Sequence, residues 1–321
     1  MPTSGRLFVV LGGGGFLGIN LTHRLVAAGH RVRAFGHAGL FTEAYAGAEF
    51  RQGDFSDRAA LTDALRGAEI AFHLVHSTVP QSANLDITGD VKENLIPSIS
   101  FLDLAVEAGV KRVVFLSSGG TIYGRPLQIP TEETASTEPI SAYGISKLAI
   151  EKYLALYGEL FGLEYRILRV ANPFGPFQVA KKKQGLIAEI VSRALGRESI
   201  EVWGDGSVVR DFVYVDDVID ALELAAAHTG GERIFNIGSG IGHSVRNVLA
   251  TVEQLLGRKL DIAWKVKRAV DVPVSILSVK RAREKLGWNP KTSFESGVAR
   301  TIAWWKENID TIVRETPAQK L

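Results

Sequence analysis

The chain contains no cysteine among its 321 residues. Disulfides, thiolate metal sites and a cysteine nucleophile are therefore excluded, and the absence is compatible with a reducing compartment. Charge of one sign is also lacking: 37 Lys+Arg against 35 Asp+Glu leave +2. That balance gives no basis for a nucleic-acid surface. Nowhere do about 18 consecutive apolar residues occur, so no membrane-spanning helix and no membrane partner are expected. The opening stretch from Met1 to Leu21 is apolar, but Arg6 and the run Gly12 to Gly15 interrupt it, and no charged leader or small-residue cleavage site comes after it. No signal peptide is expected, and the location implied is cytoplasmic. The seven histidines are scattered. His73 and His76 would face opposite sides of a strand, so no metal is expected.

What remains is a globular composition, 46 % apolar and 22 % charged. The length suits one large or two closely joined domains. Short β-branched runs alternate with segments of helical period, which predicts an α/β fold with helices on both faces of a parallel, doubly wound sheet. Strands are expected near Leu7–Leu11, Arg31–Phe35, Ile70–Leu74, Arg112–Ser117 and Tyr165–Val170. Helices are expected near Phe16–Ala28, Arg58–Leu65, Thr88–Ala108 and Ala142–Phe161. The segment Asn172-Pro-Phe-Gly-Pro176 breaks this texture, and the chain beyond it reads as helices separated by Gly-rich or basic loops. Arg210–Val215, Val218–Ala227 and Arg233–Ile237 return to a strand, helix and strand that could complete the sheet. The expected organisation is a large doubly wound domain over 1–172 and 212–240, with a smaller discontinuous domain over 173–211 and 241–321.

Gly12, Gly15 and Gly18 stand directly after an apolar strand and at the mouth of a helix. In that context the first glycine permits a tight turn, the second lets backbone approach a pyrophosphate, and the third lets helix pack on strand. The acid that would hold an adenosine ribose at the end of the second strand is missing: Gly36 stands there, and Arg33 or His37 could tolerate a ribose 2′-phosphate. These residues leave the preference between NAD and NADP open. Asp54 could reach the adenine amino group or cap the next helix. Lys181, Lys182 and Lys183 read as a solvated basic loop.

Tyr143 and Lys147 are spaced i,i+4 and would share one helix face. A phenol titrates near about 10, and an adjacent ammonium plus an oxidised nicotinamide would favour phenolate, a base near neutrality. Together with Gly12-GGGFLG-Gly18, Ser117-SGGTIYG-Gly124, Leu168-RVANPFGP-Pro176, Trp203-GDGSVVRDFVYVDD-Asp217 and Leu286-GWNP-Pro290, the chain resembles the extended short-chain dehydrogenases/reductases of the nucleotide-sugar epimerase/dehydratase branch. The likeness covers essentially the whole length.

The resemblance implies a Rossmann domain carrying NAD(P), a nucleoside diphosphate sugar in the cleft between two domains, and a homodimer formed through the helices Thr88–Ala108 and Ala142–Phe161. It makes Tyr143 the base on the sugar 4-hydroxyl and gives Lys147 the nicotinamide ribose. It places Phe16, Leu17, Gly36, His37, Asp54, Phe55, Leu74 and Ser117 along the cofactor. His73 matches the strand end beside the cofactor and reads equally well as a core residue. Asn172, Arg210, Arg268 and Asp271 match substrate contacts, the arginines suiting a diphosphate by their forked donors. Where the family carries a Ser or Thr on the reacting hydroxyl, this chain has Gly119. Strand alternation makes Thr121 the first substitute and Ser118 the second.

The family's dehydratases place Asp-Glu where Gly120 and Thr121 stand, and the acid used for decarboxylation is also absent at Thr121. The leading reading is 4-epimerisation of a UDP-hexose or UDP-N-acetylhexosamine. The alternatives are an NADPH-dependent 4-ketosugar reductase and a noncatalytic dinucleotide-sensing protein. Seven residues after Arg268 the family sets the room around the hexose, and here the small Ser275 would admit N-acetylated sugars.

Overall fold

The computed structural model describes residues 6–41, 45–179, 185–266 and 272–315. Thirteen strands and ten α-helices are assigned among them. The strands are β1 (Leu7–Leu11), β2 (Arg31–Gly36), β3 (Glu49–Gln52), β4 (Ile70–His73), β5 (Arg112–Ser118), β6 (Glu164–Val170) and β7 (Asn172–Phe174). They continue as β8 (Ile200–Trp203), β9 (Val209–Tyr214), β10 (Ile234–Ile237), β11 (Gly242–Ser244), β12 (Ile262–Lys265) and β13 (Val274–Ser275). The helices are α1 (Phe16–Ala27), α2 (Arg58–Leu65), α3 (Pro80–Leu85), α4 (Ile87–Asp90) and α5 (Ile96–Glu107). After them come α6 (Ala142–Phe161), α7 (Leu186–Gly196), α8 (Val215–Ala227), α9 (Val245–Leu256) and α10 (Phe294–Glu315).

Seven strands form one parallel sheet in the order β10-β6-β5-β4-β1-β2-β3. The central strands β1 and β4 are almost wholly apolar and buried because both faces are covered, whereas the edge strand β3 is polar and largely exposed. Alternate residues enter different cores: Phe8, Val10, Phe72, Val114 and Leu168 face one, while Val9, Leu11, Ala71, Val113, Phe115 and Ile167 face the other. The strand order reverses between β1 and β4, and at such a point the loops leaving the two carboxyl ends diverge and open a crevice.

The segment expected as one helix over Thr88–Ala108 is interrupted. Between α4 and α5, Val91–Leu95 makes a π-helical turn in which the Ile96 N–H reaches the Val91 carbonyl. Pro97 has no N–H to offer the carbonyl of Glu93, so the helix widens where the usual bond is missing. Beyond Asn172 the structure holds more strand than expected. Of the returning elements only β10 completes the large sheet, alongside β6. β9 lies elsewhere, paired with β7, β11 and β13 in a smaller sheet, and β8 pairs with β12. β10 occupies the edge of β6, so β9 has no place there. Among the described residues no helix is long and apolar enough to cross a membrane.

The Ser141 Oγ caps α6 by accepting the Gly144 N–H, and Asn84 Oδ1 accepts the Ala142 N–H. Gly162, in the left-handed conformation, ends it. Deeper in, the buried Glu151 of α6 receives a fork of bonds from the buried Arg169 of β6 at 2.7 and 3.1 Å, and Ser117 Oγ of β5 donates to it at 2.5 Å. Removing one partner of such a pair strands the other charge out of water. Glu151→Gln should therefore lower the unfolding free energy by about 3 kcal/mol or more, read from urea denaturation; a loss within error of zero contradicts the assignment.

Candidate active site

A cavity of about 1050 Å³ opens at the carboxyl ends of β1, β4 and β5. Its floor is the glycine turn. The Gly12 and Gly13 N–H groups both donate to the Phe35 carbonyl at 2.9 and 3.0 Å, which ties the turn to the end of β2. Gly18 has to be glycine: a Cβ there would lie 2.1 Å from the Gly12 carbonyl oxygen. Helix α1 starts at Phe16 with no side-chain cap and no acid in its first turn, leaving its positive end uncompensated. Gly12, Gly15, Phe16, Leu17, Gly18 and Leu74 all line the cavity.

Gly36, His37, Asp54 and Phe55 do not. His37 Nε2 stands 3.3 Å from Asp54 Oδ2, and Asp54 Oδ1 accepts the N–H and hydroxyl of Ser56. The cap of α2 is Asp57 rather than Asp54. Phe55 and His73 pack together in the core, where His73 bonds Ser98 Oγ at 2.8 Å. Burial drives the His73 imidazole well below its ordinary pKa, so it is neutral. Arg33 is not available to a ribose phosphate. It is buried, and its guanidinium donates to Glu49 and to the carbonyls of Ala64 and Arg66.

Helix α6 forms the opposite wall and brings Tyr143 and Lys147 to the cavity on one face. Lys147 is buried, donates from Nζ to the Leu116 carbonyl at 2.8 Å and lies over the Phe115 ring. Burial brings its ammonium down to about 7, opposed by the charges of Glu151 and Asp90. Burial pushes the Tyr143 phenol up to about 12; a hydrogen bond with Ser118 opposes this and the charge of Asp90 adds to it. Ser117 also borders the cavity, with its hydroxyl spent on Glu151.

Gly119 cannot carry the customary hydroxyl. A Cβ on it would lie 2.4 Å from Leu277 Cδ1 and 3.0 Å from the Arg169 carbonyl oxygen. Strand β5 ends at Ser118, so the alternation that favoured Thr121 stops before reaching it. Thr121 sits in the turn after β5 and still lines the cavity, its buried Oγ1 without a hydrogen-bond partner. Ser118 is the hydroxyl beside the Tyr143 phenol.

On the far side, Asn172 and Arg210 border the cavity. Asn172 Nδ2 donates to the Asp211 carbonyl at 2.8 Å, and Arg210 donates to the carbonyls of Val209 and Val272 at 2.9 and 2.8 Å. Ser275 is half-buried and pairs with Arg210 across β13 and β9, whereas the lining residue of that segment is Val272. Arg268, Asp271 and Lys181 to Lys183 lie outside the described residues. The motifs did not point to His76, Thr78, Gln81, Asn84 or Gln178, which also line the cavity. His76 packs edge-on against Tyr143 with ring centroids 4.4 Å apart.

Residues 8–238 match the model of the NAD dependent epimerase/dehydratase family. A UDP-glucose 4-epimerase of Mycolicibacterium smegmatis is 33 % identical over 310 residues, 93 % of this chain and 98 % of that protein. The structure of the Thermotoga maritima UDP-glucose 4-epimerase with UDP-glucose is similar at TM-score 0.90 and 35 % identity, covering 94 % of this chain and 99 % of that one. The Thermus thermophilus UDP-glucose 4-epimerase in complex with NAD is similar at TM-score 0.86 and 31 % identity, over 94 % and 99 % of the two chains. With its glycine turn opening α1 and its tyrosine and lysine facing that turn from α6, the chain belongs to the NAD dependent epimerase/dehydratase family.

Proposed function

We propose that the chain is a nucleotide-sugar 4-epimerase acting on a UDP-hexose or UDP-N-acetylhexosamine with NAD retained in the site. The observation that carries this is the placement of Tyr143 and Lys147 across one cavity from an uncapped helix N-terminus. The likeness to epimerases solved with UDP-glucose and with NAD supports it. Arg33 is committed inside the fold, which weighs against the NADPH-dependent reductase. The division proposed for the chain, with substrate held between the parts, follows the large sheet and the smaller one except after residue 172 and at residue 212, where its boundaries cut β7 and β9, strands of the smaller sheet.

The residues present fit NAD. Uncompensated N–H groups at the start of α1 suit a pyrophosphate, and Gly12, Gly15, Leu17 and Lys147 would hold the cofactor. When bound, NAD supplies a hydride acceptor for sugar C4 and a positive charge beside the phenol. Tyr143 takes the 4-hydroxyl proton and returns it after the sugar has turned over. Ser118 holds the reacting oxygen, with Thr121 as a second donor near it. Lys147 keeps a positive charge under the phenol, where it offsets the cost of forming phenolate away from water. Asn172 and Arg210 hold the diphosphate, joined by Arg268 and Asp271 on the strength of the family motif. No carboxylate stands at Gly120 or Thr121 to remove a second proton, which argues against elimination after oxidation at C4.

One variant series tests these roles. Tyr143→Phe should lose about a hundredfold or more in turnover while retaining its NAD. Ser118→Ala should slow hydride transfer about tenfold or more, and more than Thr121→Val, in single-turnover absorbance of the reduced nicotinamide. Undiminished turnover in Tyr143→Phe overturns the base assignment, and the reverse ranking returns the hydroxyl to Thr121.

Ser275, three residues past the lining Val272, does not itself border the cavity, and its part in admitting N-acetylated sugars is proposed on the family pattern alone. Ser275→Tyr should abolish turnover of UDP-N-acetylglucosamine and spare UDP-glucose. An equal effect on both, or no activity of the unmodified protein on the N-acetylated sugar, refutes the gate.

Ile96 of α5 and Ile145, Leu156, Leu160 and Phe161 of α6 are exposed, which supports a homodimer through these helices. Sedimentation equilibrium should return the mass of two chains, and the Leu156→Glu/Leu160→Glu variant the mass of one. A single-chain mass for the unmodified protein contradicts the dimer.

A further inference from the structure

A second acid besides Glu151 lies buried against the active-site helix. Asp90 closes α4 and is wholly buried. A carboxylate out of water needs donors, and Asp90 receives them from three directions. Ser146 Oγ of α6 donates at 2.5 Å, the Thr78 hydroxyl donates from the loop after β4, and Asn94 Nδ2 of the π-helical turn donates at 3.2 Å. The Nε2 of His76 stands 3.6 Å from Oδ1, and the His76 ring is the one that packs on Tyr143. Ser146 lies between Tyr143 and Lys147 in the same helical stretch, so the carboxylate joins the turn carrying both to the loop that faces them.

We propose that Asp90 is a positioning residue for the Tyr143–Lys147 pair, and that its buried charge sets the pH window in which the pair works. This rests on Tyr143 being the base. The groups that face Asp90 and the pair are few. From the loop after β4 comes His76, which burial and the charge of Lys147 bring down to about 4, so it is neutral in the working range. From α6 come Tyr143 and Lys147, with Glu151 beside the lysine and itself paired to Arg169. From β4 comes His73, held neutral by burial. Glu93 of the π-helical turn is turned to Ser77. Burial works against the Asp90 charge, but the nearby His76 ring and the bonds from Ser146 and Thr78 outweigh it and hold the carboxyl at about 2. Asp90 is thus ionised throughout the working range, and no lysine or arginine ion pair neutralises it among the described residues.

Such a charge repels the phenolate and attracts the ammonium, so it holds both titrations at higher pH than they would have without it. The Asp90→Asn variant keeps the shape and removes the charge. Measured on the NAD-bearing protein with UDP-glucose, both limbs of its kcat profile should move to lower pH by about one unit, with KM changed by no more than about twofold. Ser146→Ala removes the bond to α6 and leaves the charge, so it should lower kcat without moving either limb. Limbs of Asp90→Asn that coincide with those of the unmodified protein overturn the proposal, as do limbs that move in His76→Phe and stay in Asp90→Asn. If Asp90→Asn is not recovered with NAD bound, Asp90→Ser is measured against the same expectation. Loss of the underlying reading looks different: activity would then survive in Tyr143→Phe.

Discussion

The paired charges of Arg169 and Glu151 hold the active-site helix to the sheet, and the geometry of the site depends on them. Glu151 is one helical turn beyond Lys147, and its carboxylate lies between β5 and β6. Arg169 extends the contact by donating to the Tyr123 hydroxyl at 2.9 Å, which donates in turn to Asn236 Oδ1 of β10 at 2.7 Å. One network therefore spans α6, three strands and the segment after β5. Apolar packing would hold a helix against a sheet with some freedom to slide, because dispersion and hydrophobic burial are nondirectional. A forked, buried pair allows one register only, and that register decides where Tyr143 and Lys147 face.

Burial acts on the two reacting side chains in opposite senses. It raises the phenol and lowers the ammonium, so each is pushed toward its neutral form. A site that shields both groups from water must then supply charge of its own to let the pair ionise. Glu151 and Asp90 favour the ammonium from two sides, and Ser118 favours the phenolate by hydrogen bonding. The opposing effect of Asp90 on the phenol means that the base is held protonated until positive charge arrives. In an enzyme that must not lose its proton to solvent between half-reactions, that is a useful bias.

Much of the scaffold was legible because its signals are local. Periodicity located β1, β2, β4, β5 and β6 to within a residue or so, and α2 and α6 over the spans observed. The glycine turn was legible because a steric limit at Gly18 needs only the strand before it and the helix after it. The spacing of Tyr143 and Lys147 placed both on one face of α6 for the same reason.

Tertiary structure decided the rest. Nothing local distinguishes β9 from a strand of the large sheet; it is excluded because β10 already takes the edge of β6. Arg33 resembles a phosphate ligand in the sequence, and the fold turns it onto Glu49 and two carbonyls. Gly119 is explained by Leu277, more than 150 residues away in the chain, whose side chain fills the space a hydroxyl would need. Asp90, four residues before Asn94 in an irregular helical stretch, carries no motif, and its role exists only where Ser146, Thr78 and His76 converge on it. Local sequence determines which turns and faces can form, because backbone sterics and hydrophobic period act over a few residues. Which side chains meet out of water, and so which charges must be matched, is settled only when distant segments pack.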